Sequence, residues 1–261
     1  EPQETMSEQF FSPTGQPIGR PVPNWNGAKP PAREVLQGRF CRLEPLDVGR
    51  HRDGLWDAYS RAEKGQAWTY LAQEPPRDIA EFEQRLASQA ASEEPLFFAV
   101  VESQSQQAVG LASYLRIAPA AGSLEIGHLH FSPLMQRTPS ATETLYLLLR
   151  QAFEELGYRR CEWKCDSLNA PSRVAAERFG FRYEGLFRQA LVTKGRNRDT
   201  AWYAILDSEW VRLSQAYRQW LDPSNFTPEG EQKTRLSQLT KLGIEPSKER
   251  AHLSIKPTMP S

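Results

Sequence analysis

The chain has 261 residues, in which 32 Lys and Arg balance 32 Asp and Glu, so no whole-chain field draws it to nucleic acid or to an anionic membrane. This length fits one ordinary domain with extensions, and the three cysteines, Cys41, Cys161 and Cys165, are too few for a disulfide framework and suit a reducing, cytoplasmic setting. Residues 1–20 hold no basic stretch followed by an apolar one, and no apolar run nears the roughly 20 residues that span a bilayer, so a soluble protein is expected.

In chain order, Phe11 to Ala32 carries Pro13, Pro17, Pro21, Pro23, Pro30 and Pro31, which deny a sustained helix or strand, and residues 1–34 read as an extended arm. Arg39 to Leu43 has a short strand pattern. Asp47 then supplies an N-cap for a helix through Leu55, Trp56 and Tyr59, and Ile79, Phe82 and Leu86 put a second helix on 78–92. Leu96–Val101, Ala108–Ile117 and Leu124–Phe131 are apolar or alternating runs, expected as three strands of an antiparallel meander. Thr142 to Leu156 carries the clearest helical stripe, with Leu145, Leu148, Leu149, Ala152 and Phe153, and Gly157 ends it. A strand over 160–165, a helix over 171–179 closed by Gly180, strands over 181–193 and 200–206 and a helix over 208–221 complete an α+β domain spanning about 35–222. Residues 223–261 are a polar extension with room for a short helix over 233–242, and no internal repeat is present.

The run Phe131-Ser132-Pro-Leu-Met-Gln136-Arg137-Thr138-Pro139-Ser140-Ala141-Thr142-Glu143 joins a strand directly to the strongest helix, and helix N-termini bind phosphate through their unpaired N–H groups. Downstream come Cys161-Glu-Trp-Lys-Cys165, Asn169, Ser172 and Arg178-Phe-Gly180-Phe181, then Tyr183-Glu-Gly185 and Lys194-Gly-Arg-Asn-Arg-Asp199. In that order, over roughly Arg39 to Leu221, the chain resembles the GNAT superfamily of acetyltransferases, in particular its RimJ/RimL-like branch. The resemblance implies a mixed, mostly antiparallel central sheet with helices on both faces. It implies acetyl-CoA as cosubstrate, no metal, and acetyl transfer by direct attack of a primary amine in a ternary complex, the amine belonging to a protein N-terminus or a small molecule.

The same resemblance assigns the cofactor contacts to Phe131, Ser132, Gln136, Arg137, Thr138, Ser140, Ala141, Thr142 and Asn169. Gln136, Pro139 and Ala141 fall on the fixed positions of the family's pyrophosphate loop, Pro139 standing where the family has glycine and removing one N–H donor. Ser140 and Glu143 have capping-box spacing that would start the helix behind the loop, and the serine could instead donate to phosphate. Asn169 doubles as an Asx-type cap to the next helix.

Acetyl transfer needs an unprotonated amine. At pH 7 an α-amine of pKa about 7.8 is partly free, whereas a lysine of pKa about 10.4 is almost wholly charged, so a base matters more for lysine. Glu125 resembles the family's strand base. Period-2 alternation puts Glu125, Gly127, Leu129 and Phe131 on one face and His128 and His130 on the other, where the histidines read as packed side chains. The family's usual acid, a tyrosine, matches Ala176 here, which leaves Ser172 beside the departing thiolate or at the helix cap. Cys161 and Cys165 read as core, and Lys194, Arg196 and Arg198 as a solvated hairpin turn. Pro139 and Ala176 together admit a second class of reading, a CoA-binding regulatory or scaffold module that has lost catalysis.

Overall fold

The computed structural model describes residues 9–62 and 65–241. Strands β1 (Phe10–Phe11) and β2 (Pro17–Ile18) pair as a small hairpin in the arm, its turn made by Gly15 at φ 80°. From Trp25 onward the arm is docked. Trp25 Nε1 donates to the Ala120 carbonyl at 2.9 Å, Ala28 N to Pro119 O and Lys29 N to Leu156 O. Gly122, at φ +71°, leaves room for the Trp25 ring, because a Cβ there would stand 2.5 Å from Cη2.

Eight further strands form one sheet: β3 (Leu36–Gln37), β4 (Cys41–Pro45), β5 (Leu96–Glu102), β6 (Ala108–Ala118), β7 (Ser123–Phe131), β8 (Arg160–Asp166), β9 (Arg182–Thr193) and β10 (Arg196–Leu206). Their order is β3-β4-β5-β6-β7-β8-β10-β9, and every neighbour is antiparallel except β7 beside β8. The expected mixed, mostly antiparallel α+β sheet is therefore present. Strands β1 to β3 lie outside the expectation because two residues carry no readable alternation.

Helices α1 (Val48–Ser60) and α2 (Ile79–Ala91) begin at Asp47 and Asp78, whose carboxylates accept from Arg50 N and Glu81 N, both at 2.8 Å. They cover one sheet face, packing Leu55, Tyr59, Phe82 and Leu86 on Phe97, Ala99, Val101 and Leu111. Helices α3 (Pro139–Arg150), α4 (Ala170–Arg178), α5 (Asp207–Leu221) and α6 (Leu236–Lys241) cover the other, over Phe98, Val100, Leu124, Ile126 and Cys161. Because both faces are buried, β5 reads as a continuous apolar run. The core continues past residue 222, for Leu236 and Leu239 of α6 are buried in it. Cys41, Cys161 and Cys165 are buried free thiols. Among the described residues no helix is long and apolar enough to cross a membrane.

The start of α3 differs from expectation. Thr138 is the N-cap and Pro139 the first helical residue, whereas the stripe placed the start at Thr142. Proline at that position has its φ preset and needs no N–H partner, so it nucleates the turn. Glu143 makes no capping box with Ser140. It reaches across to the β3–β4 turn, where its carboxylate accepts from Arg39 N at 2.9 Å, Phe40 N at 2.6 Å and Cys41 N at 2.8 Å. Gly38 completes this seat, since a Cβ would stand 2.5 Å from Glu143 Oε2. Three amides with one carboxylate as acceptor make the residue a clasp between α3 and the edge of the sheet. Glu143→Ala is expected to lower the unfolding free energy by about 3 kcal/mol, since orphaned buried donors cost roughly 1–3 kcal/mol each and water recovers part. Glu143→Gln should lose less, as it keeps one acceptor oxygen. Urea melts at constant m-value measure both.

Candidate active site

The centre of the sheet holds the parallel seam of the described strands. Strands β7 and β8 pair only through Ser123–Arg160, Leu124–Cys161 and Glu125–Glu162. Beyond Glu125, β7 follows β6 to the Gly110–Phe131 pair, while β8 follows β10 to the Asp166–Thr200 pair. The two strands fork, and the cleft between them opens toward the N-terminus of α3 on one strand and α4 on the other.

A bulge shapes the fork. Between the pairs Ser113–Gly127 and Leu111–His130, β7 holds one residue more than β6, and His128 takes φ +48°. The extra residue reverses the alternation, so the face assignment expected from sequence fails beyond Gly127. Leu129 and Phe131 join Leu124 and Ile126 on the α3 side, while His128 and His130 come to the face that bears Glu125. The carboxylate and both imidazoles therefore share one side.

Glu125 is 4% exposed. Arg116 Nη1 at 2.6 Å and Lys164 Nζ at 3.0 Å both close on its Oε2. Lys164 also reaches Glu162 at 2.7 Å and lies 3.8 Å over the Trp202 ring. Oε1 turns toward Gly127, where a Cβ would stand 3.3 Å from it. Sequence reasoning passed over Lys164 and Arg116. The alternation of Cys161, Trp163 and Cys165 with Glu162 and Lys164 does place the lysine on the Glu125 side, but only the register of β7 against β8 brings the two together.

His130 stacks on Tyr59 with centroids 3.8 Å apart, meets Trp68 edge-on at 4.7 Å, and its carbonyl accepts from the Tyr59 hydroxyl at 2.9 Å. Burial pulls its pKa down to about 4, so it is a neutral packing group at pH 7. His128 Nδ1 lies 3.0 Å from Ser113 Oγ, with its ring against Phe97.

On the phosphate-loop side, Gln136 Nε2 donates to the Phe131 carbonyl at 2.8 Å and Ser132 N to the Val109 carbonyl at 3.2 Å. What Ser132 has left is its hydroxyl, which is buried without a hydrogen-bond partner among the described residues. Arg137 takes the left-handed φ of 63° that the loop needs, so the strain falls there and Pro139 is relaxed at the first helical position. The Thr138 hydroxyl donates to Met135 O, leaving the first turn of α3 with no side-chain cap. Ser140 Oγ donates to Phe40 O and Thr142 Oγ1 accepts from Arg178, so both hydroxyls turn into the core and Ala141 is buried. The loop faces outward with Gln136, Arg137 and backbone N–H groups. An uncapped helix start beside an orphaned serine hydroxyl is chemistry that fits a diphosphate and its linker.

Across the fork, Asn169 caps α4, its Oδ1 accepting from Ser172 N at 3.1 Å. The Ser172 hydroxyl is not the cap. It accepts from Trp163 Nε1 at 3.1 Å and also meets the Cys165 thiol. Ala176 is fully buried, so no side chain from that helical position enters the cleft. Lys194 lies in the exposed β9–β10 turn expected from sequence, and its side chain reaches out of it: Nζ donates to Trp68 O at 2.8 Å and meets Glu74 at 3.4 Å, pinning the hairpin to the α1–α2 connection. Among the described residues no cluster of His, Cys, Asp and Glu is arranged for a metal ion.

Residues 42–182 match the family described as acetyltransferase (GNAT) domain. A GCN5-related N-acetyltransferase from Brucella melitensis superposes with a TM-score of 0.83 at 48% identity, over 85% of this chain and all of that one. The uncharacterized N-acetyltransferase YnaD of Bacillus subtilis is 33% identical over 86 residues, a third of this chain. The chain spans about half the length of that curated relative. RimL, a ribosomal L7/L12 α-N-protein acetyltransferase, shares the fold at 21% identity, with a TM-score of 0.57 over 66% of this chain and 94% of its own.

The titration of His130 has a consequence for stability. Between its folded pKa of about 4 and the ordinary 6.5, the unfolded chain binds more protons, so stability is present above that window and is lost as pH falls through it. On going from pH 7.5 to 5 this one group should remove about 2 kcal/mol. His130→Phe keeps a ring on Tyr59 and should flatten the acid limb, the melting-temperature difference moving in the variant's favour at pH 5. His51, also held down chiefly by burial, contributes to both proteins and cancels.

Proposed function

We propose that this chain, which belongs to the GNAT acetyltransferase family, transfers the acetyl group of acetyl-CoA to a primary amine by direct attack in a ternary complex. The observation that carries this reading is the fork. It brings a buried carboxylate and a cleft between two strands onto β7, the strand whose following loop ends at an uncapped helix N-terminus.

Bound acetyl-CoA would supply an activated thioester. The backbone N–H groups at the start of α3, with Gln136 and Arg137, hold its diphosphate, and the Ser132 hydroxyl and β7 edge meet the linker. Proline at position 139 leaves one donor fewer. Glu125 takes the amine proton through Oε1 while Arg116 and Lys164 hold Oε2, so the carboxylate arrives oriented. The lone pair of the unprotonated amine forms the C–N bond, the C–S bond breaks, the sulfur leaves as thiolate, and the proton that nitrogen gives to Glu125 passes through water to that thiolate, so the products are amide and thiol. Ser172, whose oxygen accepts from Trp163 and whose hydroxyl meets the Cys165 thiol, is the side chain that would hydrogen-bond the departing sulfur. His130, neutral and wedged between aromatic rings, shapes the wall.

Titration calorimetry with acetyl-CoA, followed by thiol release against a panel of primary amines, tests this. Binding with thiol release on at least one amine is expected, and binding with no release above background on any of them would overturn it in favour of a non-catalytic CoA module. Glu125→Gln should lower kcat at least about tenfold while the acetyl-CoA Kd stays within twofold. Unchanged turnover would reject Glu125 as the base. Gly127→Ala, whose Cβ would meet Leu115 Cδ2 at 2.9 Å and Glu125 Oε1 at 3.3 Å, should lower kcat in the same direction.

A further inference from the structure

On the Glu125 side of the sheet, α1, α2 and the connection between them enclose two adjoining cavities. The one nearer the sheet, about 270 Å³, reaches Leu111, His128 and His130. The other, about 490 Å³, is walled by Trp56, Tyr59, Trp68, Pro75, Pro76 and Phe82. Tyr59, Trp68 and Phe82 line both, so the two chambers adjoin along these three aromatic side chains.

The outer chamber has no charged side chain among the described residues of its lining. In the inner chamber the charge is Arg85, which is held by the Glu81 carboxylate and the Glu74 carbonyl. Against these walls an aryl or branched alkyl group would exchange water for ring faces. The walls are also set in place. Lys194 Nζ holds the Trp68 carbonyl, the Tyr70 hydroxyl donates to the Leu168 carbonyl at 3.0 Å, and Trp56 and Tyr59 pack on Phe82 at centroid distances of 5.4 and 6.0 Å. A preformed aromatic box of this size matches the volume of small-molecule sites.

We infer that the acceptor is a primary amine carrying one bulky apolar group, which seats in the Trp56–Tyr59–Trp68–Phe82 chamber while the nitrogen is directed past His128 toward Glu125. This rests on the acetyl-transfer reading above and narrows it. A small aryl amine and the first residue of an apolar N-terminus present the same chemistry, and the chamber takes either.

The test measures kcat/KM by thiol release in two arms, 2-phenylethylamine, ethylamine and putrescine in one, and tetrapeptides beginning Phe, Gly or Lys in the other. The arm that turns over identifies the source. Within it the apolar member should exceed the others at least tenfold, a factor of the size expected from burying one ring. Trp56→Ala, which opens the box, and Ala62→Trp, which fills it, should each cut that preference at least tenfold, chiefly through KM; either variant suffices if the other fails to fold. A preference within threefold, one unmoved by both variants, or a lead for putrescine or the Lys peptide would overturn the inference. Should no amine release thiol, saturation-transfer NMR of 2-phenylethylamine with CoA present decides. Ring saturation lost in Trp56→Ala would sustain the chamber and sink acetyl transfer, and no saturation in the wild-type protein would sink the chamber.

Discussion

The parting of β7 from β8 is the constraint on which the remainder of the site depends. A parallel pair that stopped nowhere would leave no cleft, and a strand without the extra residue at His128 would send His130 to the α3 side and Phe131 to the other. The bulge does two things at once. It keeps β7 hydrogen-bonded to β6 as far as Ser132, and it rotates the strand so that apolar Leu129 and Phe131 meet the core while polar side chains face the cavities. A left-handed backbone at a histidine costs energy, of order 1 kcal/mol or more, and the packing of that ring on Phe97 and Ser113 offsets it.

The charge arrangement follows from the same seam. Where β7 and β8 still pair, Glu125 and Glu162 are neighbours and would repel, and Lys164 lies between them. Arg160 closes the other side of Glu162, and Arg116 the other side of Glu125. Burying Lys164 and Glu125 to 5% side-chain exposure is costly unless each hydrogen bond is made, so the network fixes the geometry of these side chains more than it adds to stability. A carboxylate restrained at one oxygen loses little freedom when the other meets a proton, the kind of positioning that helps a base.

Segments far apart in the chain hold the walls. Lys194 at the tip of the last hairpin secures the turn that carries Trp68, Tyr70 ties that turn to the β8–α4 connection, and Glu143 clasps the opposite edge of the sheet. The arm adds a further strap, with Trp25 seated on Gly122 at the β6–β7 turn.

Most of the architecture was legible along the chain because it is written in local terms. Asp47 and Asp78 cap because carboxylates satisfy first-turn amides, β5 is apolar on both faces, and Gly157 takes φ +77° just past the π-helical turn Gln151–Glu155 that continues α3. The ordered residues from Phe131 to Asn169 pointed to the family for the same reason, since a strand, a loop and a helix start are contiguous. Glu143 as a clasp, the shared face of Glu125 with His128 and His130, Lys164 as partner of Glu125 and Lys194 as anchor of Trp68 were not legible. Each depends on a register, a bulge or a contact between distant segments, and alternation carries no mark of where one extra residue will be absorbed. Sequence by itself determined the elements, their order and the kind of chemistry, because propensity and periodicity act over a few residues. Only the tertiary structure decided which side chains face the cleft, because that depends on how β7 is shared between β6 and β8.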